Sequence, residues 1–184
     1  MSHTRQHLTT ASAVSLDLVK RRLRIVDDYD DLDIQGLADA AALEIEAYTG
    51  LALLAQNVTV TLRNWSERIA LPVGPFMAEG LADNPVTVEL IEADGIATPH
   101  PAGWWIEPGR HPVLNLTRAH TGAALRIRYP AGFGTNADTI PPDLQLAIAD
   151  QAARSYDMRG TDDGKQGLSL AAARIAARHR RVAV

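Results

Sequence analysis

The sequence predicts a mixed α+β fold, in which a bundle of about four helices carries a β-rich insertion between its second and third helices. Three observations lead to this prediction. Apolar residues recur at helical spacing in the first fifty residues, alternate with polar residues in the middle of the chain, and return to helical spacing in the alanine-rich last part. At 184 residues, the chain is long enough to bury one sizeable core.

Three helices are predicted from their apolar spacing and their end signals. Ser15 is the expected N-cap of a short basic helix over 15–25, because its hydroxyl can accept a bond from a backbone N–H of the first turn. A long helix over 31–49 follows an aspartate-rich linker and ends before Gly50, a typical left-handed C-cap. The third helix, over 141–158, begins at a pair of prolines.

The β-rich insertion is predicted over 57–130. Val58, Val60 and Leu62 alternate with polar residues, which is the period of a strand with one buried face. A folded domain is therefore expected over 14–163, with a flexible polar tail at 1–13 and a basic helix or tail at 164–184. Further strands are predicted at 69–71, 86–90, around 105, 113–116 and 125–129.

Composition excludes several classes of protein. A net charge of −4 gives the chain no overall attraction to nucleic acid or to anionic membranes. The absence of cysteine removes disulfides, thiolate metal sites and cysteine nucleophiles, and this favours a cytosolic protein. The polar N-terminal stretch lacks the apolar core of a signal peptide, and no run of 18 apolar residues is present. Neither secretion nor membrane spanning is expected.

No metal or cofactor site is predicted. The aspartates of 27–33 match no register of a calcium loop. His100, His111 and His120 lack the helical spacing of a zinc hydrolase. Residues 160–166 resemble a phosphate-binding loop, but they are one residue short between the glycines and follow a helix, so a polar loop is predicted instead.

The three tryptophans, Trp65, Trp104 and Trp105, allow two interpretations. They would suit a platform on which bases stack. With only two Phe and four Tyr beside them in the whole chain, packing between the sheet and the helices is favoured.

Positive charge is concentrated at the C-terminal end of the chain. Residues 164–184 contain five Lys or Arg and no acid, and Ser169 is a plausible cap for an alanine-rich helix. Docking on a partner, contact with DNA and a solvated helix end remain open. We expect residues 174–184 to be frayed in the free chain and to become ordered on assembly. The predicted docking residues are Arg174, Arg178, His179, Arg180 and Arg181.

Four sequence segments occur in an order that is more specific than any single segment. They are Val14–Arg24; Asp30–Leu51, including Glu46-Ala47-Tyr48-Thr49-Gly50; Trp65 followed by Ile69-Ala70-Leu71-Pro72-Val73-Gly74-Pro75; and Tyr129-Pro130-Ala131-Gly132-Phe133-Gly134 followed by Ile140-Pro141-Pro142-Asp143-Leu144 and Ala147-Ile148.

In this order the segments resemble the head-tail connector, or adaptor, family of long-tailed bacteriophages and of the gene transfer agents derived from them. The resemblance covers about residues 14–158. It implies a ring of about twelve copies between the portal and the tail, at the capsid-tail junction, after assembly in the bacterial cytoplasm. The implied partners are the portal protein, a stopper or tail-terminator protein, and DNA in transient non-specific contact with the channel. It implies no cofactor, no catalytic residue and no enzyme activity.

In such a ring, the basic first helix and the terminal helix are expected to supply charges complementary to the acidic linker of a neighbouring subunit. The alternative function is a nucleic-acid-binding or regulatory protein that uses the Arg-rich C-terminus, and salt-sensitive DNA binding would distinguish it. The residues predicted to contact a neighbouring subunit are Lys20, Arg21, Arg24, Asp28, Asp30 and Asp31.

Overall fold

The computed structural model describes residues 1–78, 85–118, 120–159 and 167–180. The chain divides into two compact units. The β unit comprises Met1–Thr9 and Ala55–Phe133, and the helical unit comprises Thr10–Leu54 and Gly134–Val184. Four helices and two antiparallel sheets confirm the predicted α+β class, with the long β-rich segment between the second and third helices.

In the described residues of the β unit, eight strands form two sheets. The five-stranded sheet has the order β1-β2-β8-β4-β5, and the three-stranded sheet has the order β3-β7-β6. The strands are β1 (Ser2–His7), β2 (Gln56–Leu62), β3 (Arg68–Ala70), β4 (Thr87–Ile91), β5 (Ala97–Pro99), β6 (Trp104–Glu107), β7 (Val113–Leu116) and β8 (Ala124–Ala131).

The core of the β unit follows the alternation visible in the sequence. Val58, Val60 and Leu62 of β2 are buried, while the residues between them are only partly covered. Because β2 pairs along its whole length with β8, Ile127 and Tyr129 of β8 are buried on the same sheet. A phenolic hydroxyl needs partners when buried, and Tyr129 Oη donates to Val73 O at 2.9 Å and accepts from Val73 N at 3.2 Å.

Strand β1 lies where the sequence predicts a flexible tail. Ser2–His7 pairs antiparallel with β2, from Ser2 opposite Thr61 to His7 opposite Gln56. Every residue of β1 is polar, and five of the six are exposed, so neither face shows the apolar alternation that signals a strand. Backbone hydrogen bonds to the edge of β2 hold this strand. Its extended conformation therefore depends on the neighbouring strand and not on the pattern of its own side chains.

The helical unit contains α1 (Leu16–Leu23), α2 (Asp31–Thr49), α3 (Pro142–Asp157) and α4 (Leu170–Ala177). The second helix has the predicted bounds. The first ends two residues earlier than predicted, because Arg24 adopts the left-handed conformation with φ 61°. Helix α3 contacts all three other helices, and α2 contacts α1 and α4 as well. This packing confirms the predicted bundle.

Two predicted end signals are present. Ser15 Oγ accepts a hydrogen bond from Leu18 N at 3.3 Å, so it caps α1. Gly50 has φ 74°, and its N–H donates to Glu46 O at 2.9 Å, which ends α2 with a left-handed cap.

Candidate functional site

The basic C-terminal segment is anchored at its start by Ser169. Its hydroxyl accepts from Ala172 N at 3.0 Å and donates to Asp150 Oδ2 at 2.6 Å. Its backbone N–H donates to Gln151 Oε1 at 2.7 Å, and Gln151 Nε2 in turn donates to Glu44 Oε2 at 2.7 Å. A chain of hydrogen bonds therefore runs from Ser169, the N-cap of α4, through Gln151 of α3 to Glu44 of α2.

His179 anchors the other end of the same segment. Its Nε2 lies 2.7 Å from Asp143 Oδ2, and the residue is only 4% exposed. Burial raises the pKa of the Asp143 carboxyl, but the His179 ring and the N–H of Leu144 outweigh burial, so this pKa lies below its ordinary value. The predicted docking role for His179 is therefore wrong, because the side chain is used inside the helical unit.

The remaining predicted docking residues are available where the structure describes them. Arg174, Arg178 and Arg180 are exposed. The Arg180 guanidinium lies 5.4 Å from the ring centroid of Tyr48. Arg181 lies outside the described residues, as does the loop at 160–166 that resembles a phosphate-binding motif. From Leu170 to Ala177 the segment is a helix packed on α2 and α3, whereas the sequence predicted a chain frayed from residue 174 onward.

Lys20 is the centre of the first charged cluster. Its Nζ lies 2.6 Å from Asp28 Oδ1 and 2.7 Å from Asp31 Oδ1. Its side chain is 11% exposed, and hydrogen bonds to the two carboxylates raise its pKa above the ordinary value. The basic helix and the acidic linker therefore meet inside one chain.

Asp30 forms a second cluster with α3. Its carboxylate accepts a short hydrogen bond from the Tyr156 hydroxyl, and Arg159 Nη2 lies 3.4 Å from the same oxygen. The Tyr156 hydrogen bond, outweighing burial and assisted by Arg159, lowers the pKa of Asp30. The Arg159 guanidinium also stacks 3.6 Å above the Tyr156 ring. Sequence reasoning missed both partners, because no local pattern links positions about 126 residues apart.

The predicted subunit-contact residues thus fall into two groups. Lys20, Asp28, Asp30 and Asp31 already have partners in the same chain, so the predicted pairing between neighbours is not needed to satisfy them. Arg21 and Arg24 are exposed. Arg22, by contrast, forms an ion pair with Asp150 that joins α1 to α3.

Several histidines and tryptophans of the β unit are exposed or in contact with one another. Among the described residues, no group of three or more His, Asp or Glu is placed to hold a metal ion. His100 and His120 meet edge to face, with ring centroids 5.1 Å apart. Trp104 is 36% exposed and Trp105 is 55% exposed, so the prediction that they pack between sheet and helices is wrong.

Comparison with known proteins gives matches only at the level of structure. No family model matches the chain, and no curated protein matches it in sequence. A chain in the neck of an empty gene transfer agent particle, computed with C6 symmetry, superposes with a TM-score of 0.80 at 24% identity, over 100% of this chain and 97% of the other. The chain has the fold of a gene transfer agent neck component.

Two further structures agree. A chain in the virion of a native gene transfer agent particle gives a TM-score of 0.78 at 24% identity, over 100% of this chain and 97% of that one. A chain in the neck of a native particle, computed with C12 symmetry, gives a TM-score of 0.72 at 26% identity, over 98% of this chain and 97% of that one. The similarity therefore includes both units of the chain. None of the described helices is long and apolar enough to cross a membrane.

Proposed function

We propose that the chain is a structural head-tail adaptor, a subunit of a ring between the portal and the tail of a phage or phage-like particle. The observation that carries the proposal is the similarity of fold over the whole chain to a gene transfer agent neck component, with a TM-score of 0.80. Similarity confined to one unit would support only a shared domain. Here both the helical unit and the discontinuous β unit are included.

A ring of about twelve copies is part of the proposal. It is supported by the C12 and C6 symmetry of the necks that contain the similar chains. A ring subunit needs two different lateral surfaces and axial contacts, and it needs no reactive site. Arg21 on α1 and Arg24 at its C-cap are exposed and are available for contacts with a neighbouring subunit.

The exposed arginines of the C-terminal segment belong to the docking surface in this proposal. Arg174 lies on α4, Arg178 and Arg180 follow its last residue, and Ser169 and His179 fix this segment in place. Guanidinium groups form bidentate bonds with carboxylates and phosphates, so the surface suits an acidic protein partner. The proposed partners are the portal protein and a stopper or tail-terminator protein. Lining of the DNA channel, with transient non-specific contact to DNA, is a further part of the proposal, as is assembly in the bacterial cytoplasm.

Electron microscopy of the chain mixed with the portal protein from the same genome tests the proposal. We expect density for about twelve copies on one face of the portal ring, and native mass measurement should give the same number. One or two copies per portal would contradict it. Salt-sensitive DNA binding by the free chain, without attachment to the portal, would instead favour the nucleic-acid-binding alternative.

A further inference from the structure

Helix α2 has an exposed apolar face in addition to the face that packs inside the helical unit. Leu32 is 90% exposed and Leu43 is 56% exposed, and Gly36, Ala40 and Ala47 are exposed between and after them. At 100° per residue these five positions fall within about 80° of the helix surface. We call them the α2 stripe. A helix that is apolar on both faces is usually covered on both, so the stripe requires a partner.

The α2 stripe is bordered by carboxylates. Asp39 lies along one side, and Asp33 and Glu44 lie along the other, all three exposed. Asp39 accepts hydrogen bonds from the neutral side chains of Ser12 and Gln35, and Glu44 accepts one from Gln151, so both keep their charge. Asp33, by contrast, already lies 3.6 Å from Arg159 Nη1. Helix α2 contains five acidic residues and no Lys or Arg. Its partner is therefore expected to combine an apolar strip with positive charge.

The exposed face of α4 combines an apolar strip with positive charge. Leu170 is 85% exposed, and Arg174, Ala177 and Arg178 follow it on one face at spacings of four, seven and eight residues. We call these four residues the α4 stripe. The described segment 167–180 contains no acidic residue. The opposite face of α4, with Ala172 and Ala176, is fully buried.

We infer that the α4 stripe of one copy docks on the α2 stripe of the next copy. This inference rests on the proposed ring and revises one part of it: Arg174 and Arg178 contact the neighbouring copy, and Arg180 remains for the axial partner. Both stripes are exposed in the same chain, so neither covers the other within one subunit. A contact between two different surfaces of identical chains is heterologous, and its repetition by a fixed rotation closes a ring.

The chemistry of the two stripes fits close helix packing. Gly36 and Ala40 lack bulky side chains, and a Cβ placed on Gly36 would meet no atom within 4 Å, so another helix can approach α2 closely at this point. Leu170 then reaches the leucines of the α2 stripe, while Arg174 and Arg178 meet the bordering carboxylates.

The size of the contact predicts how it forms. The eight residues of α4 span about 12 Å, which is too short to bury the roughly 800 Å² per partner of a standard stable interface. Two free copies should therefore associate weakly. Ring closure, in which every copy makes two such contacts at once, supplies the additional stability.

Cysteine cross-linking tests the inference directly, because the natural chain contains no cysteine. Ala40→Cys and Ala177→Cys are introduced separately, and particles are assembled in cells that express one variant or both. Neck fractions are then treated with a short bis-maleimide. We expect a cross-linked dimer only when both variants are present, and a ladder up to the full ring when both substitutions are in one chain. Ala40→Cys combined with Ser66→Cys is the matched control and should give none.

A charge exchange supplies an independent readout. Arg174→Glu with Arg178→Glu should lower ring occupancy in the neck at least tenfold, and Asp39→Arg in the same chain should restore part of it. Arg63→Glu with Arg118→Glu makes the same change of charge on exposed arginines of the β unit and should leave occupancy unchanged.

The outcomes separate this inference from the proposed function. A full ring in the neck without the Ala40→Cys to Ala177→Cys cross-link overturns the inference and leaves the adaptor function standing. Cross-linking of Ala40→Cys with itself indicates a two-fold contact and also overturns it. Absence of the chain from the neck overturns both.

Discussion

The imidazole of His179 lies 2.7 Å from the carboxylate of Asp143, and this contact ties the last described turn of the chain to the first turn of α3. The consequence is a prediction about stability. His179→Ala removes a buried ring together with a hydrogen bond to a charged group, and we expect it to lower the free energy of unfolding by about 1 to 2 kcal/mol. Denaturant unfolding of the purified chain measures this change.

Arg180→Ala is the matched control for His179, because its side chain is exposed one residue further along. The substitution should change the free energy of unfolding by no more than about 0.5 kcal/mol. Equal effects of the two substitutions would contradict the assignment of His179 to the core of the helical unit. It follows that deleting residues 174–184 should destabilise the subunit, contrary to the expectation drawn from composition alone.

Asp150 makes the helical unit sensitive to acid. Burial raises the pKa of its carboxyl, but hydrogen bonds from Ser169 and Arg22, with the charge of Arg22, outweigh burial, so this pKa is depressed in the folded state. A carboxyl with a depressed pKa contributes stability that is fully present above the unfolded value of about 3.9 and is lost as pH falls through the folded value.

Asp150→Asn should therefore cost about 1 to 2 kcal/mol at pH 7 and much less at about pH 3, so that its unfolding curve depends less on pH than that of the natural chain. Thermal or denaturant unfolding between pH 3 and 7 checks this. Parallel pH profiles for the two proteins would show that Asp150 contributes no charge-dependent stability.

The Tyr129 hydroxyl satisfies both backbone polar groups of Val73 inside the β unit. Tyr129→Phe preserves the packing but leaves those groups without this partner, and we expect a loss of about 1 to 3 kcal/mol. Tyr29→Phe provides the control, because Tyr29 is 94% exposed and its substitution should be neutral. Urea unfolding that gives the same midpoint for both variants would refute the role of the hydroxyl.

Substitution by alanine is predicted to destabilise the chain at Gly74 and to stabilise it at Gly36. A Cβ on Gly74 would lie 2.0 Å from the backbone oxygen of Arg110, so Gly74→Ala should cost about 3 kcal/mol or more. A Cβ on Gly36 meets nothing, and in a helix Gly36→Ala should stabilise the free chain by about 0.5 to 1 kcal/mol. Thermal unfolding of the two variants, with Tm shifts of opposite sign, is the expected result.

The order of helices and strands was predictable because it depends on signals within a few residues of each other. Ser15 and Gly50 end their helices through hydrogen bonds to neighbouring residues, and the alternation of Val58, Val60 and Leu62 reflects one buried face. The order of the four sequence segments likewise predicts a structural component of a phage-like particle, and this agrees with the similarity of fold to gene transfer agent necks.

Strand β1 and the charged clusters were not predictable in this way. Ser2–His7 is a strand because β2 offers it an edge 49 to 59 residues away in the chain. From the sequence, the acidic linker was expected to pair with a neighbouring subunit. In the folded chain, Lys20, Tyr156 and Arg159 contact it instead. Exposure is likewise a property of the folded chain, so Trp105, Leu32 and Leu170 could be assigned to the surface only from the structure.

The sequence by itself determined the fold class, the bounds of the first three helices to within two residues, and the type of particle component that the chain resembles. Only the tertiary structure decided which charged groups are used internally and which remain for partners. The physical reason is that caps and periodicity act over one or two turns of chain, whereas ion pairs and buried surfaces join residues that only the complete fold brings within a few ångströms.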